Sequence, residues 1–305
     1  MSTAVSAFVD GAWPRHDKEA AQVFTSGAEL IEQADQADLQ PLGRLLFHVG
    51  AEHLGRFDEV LAVLERLRAR PTCAPASPDA RALWRFTAAA HLCAGEGPAA
   101  AAAEAHAARD SGLPAESDRG AIHALAAAAL VGQRRVPEAA RLFELALAAA
   151  SYGPQRSDPL ARALAVSSNN LAADLCERAA RTPDEDRLML TAAEASRTFW
   201  EIAGDWIHVE RAEYRLAIAC AALADGTRAL EHARTALAMC AAHEADDTER
   251  FFANEALVRA ALAAGDRAQA GDARTAAARH LEAISDAGSK AWCAGELAKL
   301  DALLA

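Results

Sequence analysis

Four stretches of this chain repeat one plan, and that plan leaves few folds open. GRFDEVLAVLERL (55–67), RRVPEAARLFELAL (134–147), ADGTRALEHARTAL (224–237) and AGDRAQAGDARTAA (264–277) each begin with a turn and continue at helical period. After the turn come three packing residues: Val60, Leu64 and Leu67; Ala139, Phe143 and Ala146; Ala229, Ala233 and Ala236. GEGPAAAAAEAHA (95–107) gives Ala100 and Ala107, with Glu104 at the middle place. Spacings of four and three put these residues on one face of a helix. Where that face is alanine, a neighbouring helix can approach closely. A helix pair of this kind cannot bury its apolar surface alone, so pairs must stack.

The punctuation between the repeats is legible. Ser77-Pro78, Gly97-Pro98, Asp158-Pro159 and Thr182-Pro183 place proline at a first helical position, where no backbone N–H is needed. TPDE (182–185) fits a capping box. Gly55, Gly95, Gly226 and Gly265 read as helix stops. No run alternates apolar and polar residues as a half-buried strand would. The expected fold is therefore all-α, with about 12–14 helices joined by short turns and so antiparallel to their neighbours. Residues 1–37 are expected to cap the front, 38–285 to form an array of about six helix pairs, and 286–305 to cap the rear. In the rear cap, Trp292, Leu297, Leu300 and Leu304 form the expected inner stripe, and Trp84, Phe143, Leu171 and Leu216 are expected in the core.

The array resembles the tetratricopeptide repeat (TPR) family, in which two helices of a roughly 34-residue unit pack through small residues. The family's glycine in the first helix is mostly alanine or absent here. The resemblance implies a right-handed solenoid with a concave binding groove. SSNNLA (167–172) sharpens it. Asparagine disfavours helix interiors because its amide competes for backbone hydrogen bonds. Yet two of the three asparagines in the chain stand side by side here. NNLA is similar to a first-helix sequence in TPR proteins of the kinesin light chain type and in peptide-pheromone receptors. There such asparagines line the groove and bind a peptide main chain. With Leu171 in the buried place, the resemblance puts Asn169 and Asn170 in the groove. The same count from Leu216 gives Tyr214 and Arg215. From Leu257 it gives Glu255 and Arg259, with Asn254 at the margin. An amide carries a donor and an acceptor, which suits an extended peptide backbone. The other reading is that these amides pair with a neighbouring repeat.

Motifs for catalysis or cofactors do not stand out. GEGPAA (95–100) matches a dinucleotide fingerprint in letters, but a helix-periodic segment precedes it instead of a strand. His48 and His53 do not have the i,i+4 spacing that sets two imidazoles on one α-helical face, and His91 and Cys93 diverge. DED (184–186) and ADDTE (245–249) fall at helix starts, where carboxylates complement the helix dipole. No catalytic residue, metal or cofactor is expected.

Charge and cysteine narrow the class of partner. The net charge is −12 with both signs dispersed, and no basic stripe suggests nucleic acid. The run GPAAAAAEAHAARD is too short and polar to cross a bilayer. Neither a secretory leader nor membrane contact is expected. Six cysteines without CxxC spacing read as reduced thiols in the cytoplasm. The expected function is non-catalytic binding of a protein or peptide. The alternatives are a structural or homo-oligomeric scaffold, or a helical-array enzyme.

Overall fold

A computed structural model describes residues 4–305, and no strand occurs among them. The helices are α1 (Ala4–Ala12), α2 (Ala20–Glu29), α3 (Gln36–Phe47), α4 (Phe57–Arg68), α5 (Pro78–Ala94), α6 (Gly97–Ala108), α7 (Ala115–Gly132) and α8 (Val136–Ala149). They continue as α9 (Pro159–Glu177), α10 (Pro183–Ala203), α11 (Trp206–Ala222), α12 (Gly226–Ala242), α13 (Asp247–Ala263), α14 (Arg267–Ala283) and α15 (Ala287–Leu304). A π-helical segment, His48–His53, joins α3 towards α4. Two compact units result, one ending at Ser167 and one running from Ser168 to Ala305.

Helices pack as sequential pairs. In the first unit these are α5 with α6 and α7 with α8; in the second, α11 with α12 and α13 with α14. Two or three residues connect the members of each pair, so they run antiparallel. First members also touch one another. Helix α5 contacts both α3 and α7, and α13 contacts both α11 and α15. This contact between alternate helices is what stacking of pairs requires.

One turn recurs between helices. Glu96 N–H donates to His91 O at 2.8 Å, Arg135 to Leu130 O at 2.9 Å, Asp225 to Cys220 O at 2.9 Å and Asp266 to Ala261 O at 2.9 Å. Each bond closes a Schellman motif around one left-handed residue: Gly95, Arg134, Ala224 and Gly265. The first and last are glycine, which takes this conformation without a Cβ clash. At Ala224 a residue with a Cβ takes the same conformation at a cost. Gly226, expected as a stop, instead opens α12. A Cβ there would lie 2.4 Å from the backbone of Ala264, so glycine is needed for close approach.

The small-residue faces are buried as expected. Val60, Leu64, Leu67, Ala139, Phe143, Ala146, Ala229, Ala233 and Ala236 are all in the core. In α6 the buried set is Ala100, Ala103 and Ala107, and Glu104 turns outward to pair with Arg119. Leu171 and Leu216 are buried, but Trp84 is only half-buried. Its ring stacks on His106 at 4.3 Å and carries the Arg68 guanidinium at 4.0 Å, so polar groups cover it in place of a core. Trp292 is 58% exposed, because Cys293 takes the inner place of α15 beside Leu300. The Thr182 capping box forms, with Thr182 N–H donating to Glu185 at 2.7 Å. All six cysteines are free thiols.

The π-helical segment has identifiable supports. Leu54 N–H donates to Val49 O at 3.1 Å, five residues back, and Arg56 N–H to Gly50 O at 2.8 Å. The wider turn leaves carbonyls without the usual helical donor. The Gln133 amide donates to two of them, Ala51 O at 3.2 Å and Glu52 O at 2.8 Å. Gly132 permits this approach, since a Cβ there would stand 2.2 Å from Glu52 O. At Gly50 a Cβ would meet Val60 at 2.4 Å and Phe24 at 2.5 Å.

Candidate functional site

The residues singled out for a groove all lie in the second unit, on α9, α11 and α13. Helices α11 and α13 are the first members of their pairs, and Leu171 of α9 and Leu216 of α11 are buried. Asn169 and Asn170 are half-buried on α9, directly after the buried Ser167 and Ser168.

Four of the other five residues are grouped through Glu255. Its carboxylate, 2% exposed, accepts the Tyr214 hydroxyl at 3.0 Å and Arg259 Nε at 2.8 Å. Arg259 also approaches Glu296 of α15, at 4.0 Å. Tyr214 carries the Arg215 guanidinium 5.7 Å from its ring centre. Burial, reinforced by the Glu255 carboxylate, raises the Tyr214 phenol above its ordinary range, so it stays a donor. The buried Glu255 side chain thus fixes a phenol of α11 and a guanidinium of α13. Asn254 has a different place. It is buried, and one N–H of its amide donates to Arg250 O of its own helix at 2.8 Å.

A surface concavity of about 270 Å³ lies on the same helices. Cys176 of α9, Ile218, Ala221 and Ala222 of α11, Arg259 of α13 and Leu303 of α15 line it. Its floor is small and apolar, and Arg259 gives it one positive group. Sequence reasoning identified Arg259 but missed Cys176, whose thiol is raised by burial against the opposing pull of Arg215. Cys176 lies six residues beyond Asn170 on α9, and no motif in the sequence marks it.

A second polar cluster lies in the first unit, and sequence spacing had separated its members. His16, His48 and His53 each bring a ring nitrogen within 4.8 Å of the other two. His48 Nε2 and His53 Nε2 are 3.2 Å apart. At 3.6 residues per turn, positions i and i+5 turn away from each other. The π-helical segment has a wider turn, and there i and i+5 share a face. His16 Nδ1 lies 2.6 Å from Trp13 O, and His48 Nδ1 lies 2.9 Å from Glu52 Oε2. The Trp13 ring packs 5.3 Å from His16 and 5.4 Å from His48. Burial, with His48 beside it, pushes His53 down to about 4, so its ring is neutral near pH 7.

No family model matches this chain, and a search of curated proteins found no match. No helix among the described residues is long and apolar enough to cross a membrane.

Proposed function

We propose that the second unit binds an extended peptide or protein segment across the face presented by α9, α11, α13 and α15, without catalysis. The observation that carries this reading is the concavity lined from all four of those helices, with Arg259 held at its wall by the buried Glu255. Asn169 and Asn170 supply amides for a peptide main chain on the first of the four helices. In this reading the helix pairs of each unit are right-handed, TPR-like stacks. The contacts between alternate helices support it, while the spacing of the turns departs from it. Gly55, Gly95 and Arg134 stand 40 and 39 residues apart, and Ala224 and Gly265 stand 41 apart, against roughly 34 in the family. Partners of protein type suit the dispersed charge better than nucleic acid, and free thiols suit the cytoplasm.

Panning a random peptide library on the full chain tests the proposal. Recovered peptides should bind the N169A/N170A double variant and the R259A variant at least several-fold more weakly, since each lost hydrogen bond costs about 0.5–1.5 kcal/mol. Unchanged affinity in both folded variants would reject the face.

A second reading, self-association into a scaffold, is favoured by one feature. Trp292 is 58% and Leu303 49% exposed on the terminal helix α15. Light scattering on the intact chain and on W292S would separate the two: a scaffold predicts an oligomer that W292S dissociates.

A further inference from the structure

We propose that His16, His48 and His53 form a binding site for a divalent first-row transition ion of the zinc type. Three ring nitrogens already converge within 4.8 Å, brought together from the turn after α1 and from both ends of the π-helical segment. Two imidazole nitrogens bound to one tetrahedral zinc, each at about 2.0–2.1 Å, are separated by roughly 3.3 Å. The 3.2 Å between His48 Nε2 and His53 Nε2 matches that separation. It is also a hydrogen-bond distance, in which a proton holds the place of the ion.

The groups around the rings set their tautomers as a metal site requires. A backbone carbonyl and a carboxylate only accept, so Trp13 O and Glu52 Oε2 take Nδ1–H from His16 and His48. In its neutral form each ring then carries a lone pair on Nε2. A carboxylate or carbonyl behind the far nitrogen is the usual support of a zinc-binding histidine, because it fixes the ring and raises its basicity. His53 completes the set by moving its proton from Nε2 to Nδ1 as the ion binds. Glu52 is held in turn from its backbone, through the Gln133 bond to Glu52 O. The π-helical turn thereby gains a reason: it places two imidazoles on one face, at the cost of less favourable helix geometry. Three imidazoles leave a fourth tetrahedral place for water or an exogenous ligand. Imidazole donors suit zinc, copper, nickel and iron more than magnesium or calcium.

The test uses the full chain, freed of metal with a chelator and titrated with Zn²⁺ alone. One equivalent of Zn²⁺ should remain bound through gel filtration. H16Q, H48Q and H53Q should each weaken binding at least tenfold, and E52Q, which removes only the support of His48, about tenfold. H243Q changes an exposed histidine on the second unit and should bind as the parent does. Co²⁺ should show the visible bands of a four- or five-coordinate ion, which H53Q abolishes. Should a histidine variant fail to fold, the parent chain still decides. Zn²⁺ should protect His16, His48 and His53 from diethylpyrocarbonate while His243 reacts equally with and without the ion. Absence of retained Zn²⁺, retention undiminished in H16Q and H53Q, or no selective protection would overturn the site.

Discussion

The hairpins α11–α14 and the stretch from α3 to α4 treat the same backbone in opposite ways. Each of the four hairpin helices is 17 residues long, and each turn repeats the same bonds. From α3 to α4 the chain runs twelve residues of α-helix, six of π-helix, and twelve of α-helix again. Regularity in the hairpins comes from alanine: Ala229, Ala233 and Ala256 meet in one cluster and let α11, α12 and α13 close together. Polar side chains of α11 and α13, among them Glu210, Glu213 and Glu255, are buried between these helices. Irregularity in the first unit is stabilised by particular groups, Gln133, Gly132 and Gly50, and it concentrates three imidazoles at one point. One region makes a surface and the other makes a point.

Gly132 gives the hardest test of the contrast. G132A puts a Cβ against the Glu52 carbonyl and should destabilise the first unit by about 3 kcal/mol or more. Denaturant unfolding followed by circular dichroism reads this, and Zn²⁺ binding should fall with it. G226A makes a comparable clash in the second unit, 2.4 Å from the Ala264 backbone against 2.2 Å at Gly132. It should cost as much stability there and leave Zn²⁺ binding intact. Equal metal loss in both variants would mean that the regions are not separable.

Glu210 of α11 offers a test by pH. It is 1% exposed, and burial, with Glu249 nearby, raises its carboxyl to about 7. A carboxyl raised on folding favours the folded state only while protonated. Its contribution is therefore present below the unfolded value of about 4.5 and is lost as pH rises through about 7. E210Q should stabilise the chain by up to about 3 kcal/mol at about pH 8, and the gain should vanish below about pH 4.5. Melting curves across that window check it.

Smaller effects probe the turns and the asparagines. A224G relieves a left-handed alanine and should add about 1 kcal/mol, while G265A at the equivalent turn should remove about as much. N169A should raise stability by roughly 0.5 kcal/mol through helix propensity. A lower melting temperature for N169A would show that its amide holds the α9 environment together and is not spare for a ligand.

The hairpins were legible in the sequence because their signals are local. Prolines at first positions, the Thr182 box and the small-residue spacing each act within a few residues, and the helices begin and pack where those signals said. Misplacements came from competition between neighbours. Trp292 and Cys293 are adjacent, and sequence alone favoured the larger apolar ring for the interior, whereas the smaller thiol fits the gap beside Phe251 and Leu281. The histidine trio was hidden for another reason. Nothing in HVGAEH breaks α-helical periodicity by itself. The π-turn depends on Gln133, some eighty residues away, and on a glycine that clears its path.

The contact of α13 with both α11 and α15 sets a length. Adjacent packed helices have axes about 8–10 Å apart, so two such steps cover roughly 16–20 Å. An extended chain advances about 3.3 Å per residue, so a strand laid across these three helices would be read over about five or six residues. Segments shorter than that would leave one of these three helices without a partner, and a longer one would continue towards the asparagines of α9. The ruler is built into the stacking of the helices, and changing it would take another helix pair and not a change of side chains.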